Sequence, residues 1–178
     1  MKKIFVLLTL VIPAISFAQS RLHNVSPYEY QKPLFEAASA LNISGGTPVD
    51  KQSFQMLVGK KSIGTIIAGK GFNQNDDSVC FIGWMKNNEK AIKVTPTIGF
   101  ERWEAEKCLG TEAVSLLSYK GSDKVAVIYE AASPNATAYE SVIFTVEGSD
   151  LVIDQSLTKS FGSQGAKTIG ELKSLIKN

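Results

Sequence analysis

The run KVAVIYEA (124–131), the reversal Ser133-Pro134-Asn135 and the returning run YESVIFTVE (139–147) decide how this chain folds. Val125, Val127 and Tyr129 alternate along the first run, and Val142, Phe144 and Val146 alternate along the second. A period of two marks a half-buried strand, and a tight turn between two such runs makes an antiparallel pair. Gly148-Ser149-Asp150 turns the chain again, into a further strand expected over 151–158.

Working upstream, residues 114–119 read as a strand ahead of the turn Gly121-Ser122-Asp123. Residues 63–68, 79–86 and 91–95 are three more β-rich runs, separated by the polar loop 71–77 and by Asn87-Asn88. Connections this short favour an antiparallel meander, since parallel pairing needs long crossovers. Between these groups, residues 100–109 are expected to form a short helix, with acids early, Lys107 late and Gly110 as its stop.

Helical spacing dominates the two ends. Ser26, Pro27 and Glu29 suit a helix start, and Leu34, Phe35, Ala37, Ala38 and Leu41 follow at helical intervals. Gly45-Gly46-Thr47-Pro48 reads as a break, and Asp50 as the cap of a short helix bearing Phe54, Leu57 and Val58. Near the C-terminus Thr168 and Glu171 form a capping-box pair ahead of the stripe Ile169, Leu172 and Ile176. A sheet with one apolar face must bury it, and the terminal helices are available to do so. The expected fold is therefore α+β: one antiparallel β-meander sheet covered on one side by N- and C-terminal helices, in a single domain over 19–178.

Residues 1–18 read as a cleavable signal peptide. Lys2 and Lys3 precede the apolar stretch 4–17, and Ser16-Phe17-Ala18 offers small residues for cleavage before Gln19, which is expected to begin a loose terminus over 19–23. The stretch is short of the ~20 residues of a spanning helix and contains Pro13. A periplasmic or secreted location follows, with no stable membrane insertion after cleavage. Two of the 19 lysines and arginines leave with the leader, so 17 face 17 acids in the mature chain. Without a net positive charge, nucleic acid is not an expected partner.

Cys80 and Cys108 are the two cysteines, and an even count in an exported chain favours a disulfide between them. The stretch from Gly64 to Gly69-Lys70 imitates a phosphate-binding loop, but Gly71 stands where the magnesium-binding hydroxyl belongs. Asn73, Asn75 and Asp77 imitate the start of a calcium loop, yet Trp84 occupies the position of its bidentate glutamate. His23 is the only histidine, which argues against His-based nucleophile activation and His-rich zinc sites. No metal or cofactor is expected.

Glu101, Glu104 and Glu106 are the candidate acids, although Glu101 and Glu104 would share one face of a helix rather than flank a bond. Phe100, Glu101, Arg102, Trp103 and Glu104 lie between the cysteines and form the expected binding segment, because aromatics and arginine anchor protein interfaces. Phe100 and Trp103, three apart, would equally well face the core. The expected function is an exported envelope protein, not an enzyme, that binds another protein. It would act as an inhibitor or immunity factor against a cell-wall- or membrane-targeting enzyme. A small-ligand-binding periplasmic protein and a carboxylate-dependent hydrolase are the alternatives.

Overall fold

A computed structural model describes residues 19–103 and 106–177. The expected leader lies outside them. The fold is mixed α+β and dominated by antiparallel strands, which form two sheets where the sequence suggested one. The first sheet has the order β1 (Ser20–Asn24), β2 (Ser44–Val58), β3 (Lys61–Phe72), β4 (Ser78–Lys86) and β5 (Ile92–Pro96). The second has β6 (Lys107–Tyr119), β7 (Ser122–Ser133), β8 (Ala136–Glu147) and β9 (Asp150–Ile153). Both are meanders, and the chain passes from one to the other through residues 97–106.

The two sheets pack face to face. Ile66, Ala68, Ile82 and Trp84 from the first share one core with Val125, Val127, Val142 and Phe144 from the second. The alternate residues of the same strands point the opposite way. Ile67, Val79 and Phe81 pack with Leu34 and Ala38 of α1 (Gln31–Ser39). On the far side, Ala126 and Ile143 pack with Leu157 of α2 (Gln155–Phe161) and Leu172 of α3 (Ile169–Lys177). The helices thus touch opposite outer faces instead of lying together on one side of a single sheet. These strands are therefore buried on both faces at their centres, not half-buried as their alternation suggested.

Four local expectations are corrected. Residues 19–23 are not a loose terminus: Arg21 to Asn24 pair with Leu57 to Phe54 of β2. The 44–58 region holds no helix; the Gly45–Pro48 break is absorbed into β2, whose register against β3 shifts between Ser44 and Thr47 and between Pro48 and Ser53. Bulges allow proline and positive φ inside a strand, as at Gly45 with φ 64°. Residues 100–109 form only a single 3-10 turn, Glu101–Trp103, before β6 begins. Gly99 and Glu101 have φ of 91° and 47°, which no α-helix tolerates, and Cys108 must reach Cys80. Finally, β9 ends at Ile153 because Asp154 caps α2, accepting the Leu157 N–H at 3.1 Å and the Lys124 ammonium at 3.0 Å. Burial alone would raise the Asp154 carboxyl, but these partners outweigh it and hold it below the usual range.

Half of the C-terminal capping pair forms as read: Thr168 Oγ1 accepts the Glu171 N–H at 3.2 Å, while the Glu171 carboxylate accepts the N–H of Lys167, one residue before the cap, at 2.8 Å. Gly64 and Gly69, the glycines of the phosphate-loop imitation, lie within β3. A Cβ at either would collide with the ring of Trp84 or of Phe81 on β4. They are there for close packing of the neighbouring strand.

Candidate binding surface at the bridged end

The crossover between the sheets is tied down at several points. Thr97 and Ile98 continue the β4 ladder, with Cys80 N–H donating to Ile98 O at 2.9 Å and Thr97 N–H to Cys80 O at 2.8 Å. The disulfide Cys80–Cys108 then joins β4 to β6, with Cα atoms 5.6 Å apart. Asn73 supplies the third tie. Its amide donates to Gly99 O at 3.1 Å, while its side-chain oxygen accepts the N–H groups of Asn75 and Asp77 at 2.9 and 3.0 Å. Lys107 pairs with Asp77 at 2.6 Å. The loop that imitated a calcium site is therefore a turn whose polar groups serve the crossover; among the described residues no three His, Cys, Asp or Glu side chains group to hold a metal.

Around these ties apolar side chains reach the surface among polar ones. Phe72 is 47% exposed and Leu109 is 53% exposed, and together they flank a cavity of about 160 Å³ whose floor includes Cys80 and Cys108. Leu41, 37% exposed, shares a neighbouring cavity of about 310 Å³ with Asn73, Phe100 and Glu101. Three of the large hydrophobic side chains most open to solvent thus gather at one end of the sandwich.

The segment singled out from sequence lies at this end, but its aromatics turn inward. Phe100 is half-buried against the cluster beneath α1, and Trp103 is half-buried against the core between the sheets. Glu101 is exposed, whereas Glu104 and the Arg102 side chain lie outside what the structure describes. Sequence reasoning missed Leu41, Phe72 and Leu109. Phe72 was read as part of the polar loop 71–77 and Leu109 as part of a helix, whereas they lie on β3 and β6.

Of the candidate acids, Glu106 is the one the structure brings to another. One of its carboxylate oxygens is buried without a hydrogen-bond partner. Its charge adds to burial, the larger effect, in pushing the Glu140 carboxyl of β8 up to about 6. Glu140 lines a groove of about 410 Å³ with Trp103, Gln155 and Lys159. His23 sits exposed on β1, opposite Gln55.

The fold and this end define a two-sheet sandwich stapled by one disulfide, with Phe72 and Leu109 exposed beside the staple. No protein-family model, no curated protein and no solved structure matches the chain.

Proposed function

We propose that this chain is an exported protein of the bacterial envelope that binds another protein through its bridged end. It would act as an inhibitor or immunity factor for a cell-wall- or membrane-targeting enzyme. The observation that carries the reading is the pair of exposed side chains, Phe72 and Leu109, on either side of the disulfide. Apolar side chains on a pre-ordered surface dock with little loss of conformational entropy, which favours their use in binding. The Asn73 and Lys107 ties favour the same conclusion by holding the neighbouring loops. The disulfide suits an oxidising compartment, and among the described residues no helix is long and apolar enough to cross a membrane.

Cross-linked capture from envelope fractions, followed by an activity assay on each purified captured enzyme, tests this. The doubly substituted protein Phe72→Ser, Leu109→Ser should keep its melting temperature and lose both capture and inhibition. Equal inhibition by that variant would remove the bridged end as the contact face. Intact mass and thiol alkylation of the native protein test export: the mass should begin at Gln19 and neither thiol should react.

A second reading, a hydrolase working with carboxylates, is favoured by the raised Glu140 carboxyl beside Glu106. A carboxyl titrating near neutrality can act as a general acid. It predicts hydrolysis of cell-wall fragments that Glu140→Gln abolishes and Phe72→Ser leaves intact. No turnover by the unaltered protein disposes of it.

A further inference from the structure

The opposite end of the sandwich holds a cavity of about 680 Å³, within the ~300–1,000 Å³ typical of small-ligand sites. Its floor is apolar and is built by both sheets: Met56, Ile63 and Trp84 come from the first, Val146 from the second. Trp84 donates its indole N–H to Ser149 O at 2.9 Å, so this ring has no donor left to offer a ligand. Recognition at the floor must therefore be apolar. The mouth is formed by hairpin turns, and these carry charge unevenly.

On the first-sheet side, residues 59–63 and 84–90 hold Lys60, Lys61, Lys86 and Lys90 against one acid, Glu89. On the second-sheet side, residues 119–123 and 146–150 hold Asp123, Glu147 and Asp150 against one base, Lys120. Lys86 and Asp150 satisfy one another across the mouth at 3.2 Å, with Lys93 also on Asp150 at 3.8 Å. That pair aside, the charged side chains lining the cavity are Lys61 and Glu89 on the first-sheet side and Asp123 on the second. Lys61, which lines the cavity, has no ion-pair partner among the described residues. Asp123 lines it from the other side, where it accepts the Ser20 N–H at 3.2 Å.

An apolar floor with Lys61 on one side of its mouth and Asp123 on the other suits a ligand of matching form. We propose that this cavity binds a short apolar peptide with both ends free, its carboxylate toward Lys61 and its ammonium toward Asp123. A neutral apolar molecule would leave the separated charges of the mouth unused, and a simple anion or cation would use one side of it. This site is independent of the protein-binding face at the other end.

The test is calorimetric titration with the dipeptide Leu-Leu in four forms: free, N-acetylated, C-amidated, and capped at both ends. The free form should bind, and capping either end should weaken it about tenfold, the magnitude of one charge-assisted hydrogen bond. Lys61→Ala should erase the penalty for amidation while leaving that for acetylation, and Asp123→Asn should do the reverse. Filling the cavity with Val146→Trp should abolish binding; if that variant melts early, the two charge variants still decide the matter. Equal affinity for the free and doubly capped dipeptides, or no heat from the free form, overturns the proposal. The Phe72→Ser, Leu109→Ser protein should bind the dipeptide normally, so failure at one end of the sandwich does not imply failure at the other.

Discussion

Glu140 shows how one side chain can oppose the fold that contains it. Its carboxyl is pushed up to about 6 from an ordinary 4.5, first by burial and then by the negative charge of Glu106. Between those two values the folded protein holds a proton that the unfolded chain releases. Stability therefore falls as pH rises from about 4.5 to about 6, the reverse of the usual carboxylate behaviour. Glu140→Gln should remove this dependence. Above pH 6 the variant should melt higher than the parent, by no more than about 1 kcal/mol because the half-exposed site is screened by solvent. Melting curves at pH 4 and pH 7 check it, and a parent that is more stable than the variant at pH 7 would contradict the assignment. Asp154 behaves in the opposite sense. Its depressed carboxyl contributes stability that is present above the ordinary value and lost as pH falls through the folded one.

At the level of elements, the glycines of β3 serve packing more than turns. A methyl group added at Gly64 would meet the Trp84 ring, which cannot withdraw without disturbing the core between the sheets. Gly64→Ala should cost about 1–3 kcal/mol, the usual range for overpacking. It should also shift tryptophan emission in a Trp103→Phe background; an unchanged spectrum together with unchanged stability would mean that β3 and β4 are less closely packed than described. The same strands show what sequence can and cannot disclose. Alternation at Val125, Val127 and Tyr129 was legible because those residues face one core. Ala126 and Ile143, which face the C-terminal helices, carry no separate signal, so a second sheet and helices on opposite faces were not inferred. Strand β2 was misread because Gly45, Pro48 and the left-handed Lys51 break its period of two at bulges, leaving Phe54, Leu57 and Val58 at an accidental helical spacing. The surface proposed for binding was not legible as such. Two cysteines marked the segment between them, but exposure of Phe72 and Leu109 depends on which strands lie beside them, and that is set by the whole topology.

For the molecule as a whole, the decisive question is what keeps two sheets together when the chain crosses between them once. The shared core does most of this, and each end adds a different clamp. At the hairpin end, Trp84 reaches Ser149 and Lys86 reaches Asp150, joining β4 to the β8–β9 turn. At the crossover end, the disulfide joins β4 to β6 across 28 residues of chain. Replacing both cysteines by alanine should cost about 3–4 kcal/mol by the loop-entropy argument. The loss should not be spread evenly. With the hairpin-end clamps intact, opening should begin where the staple was removed. Amide hydrogen exchange at Thr97, Ile98 and Cys108→Ala should accelerate far more than at Trp84 or Lys86. Because Phe72 and Leu109 flank the staple, partner affinity should fall with it while dipeptide binding at the far cavity persists. Uniform acceleration across both ends would instead mean that the sheets separate as one unit, and that the disulfide holds no surface in readiness for a partner.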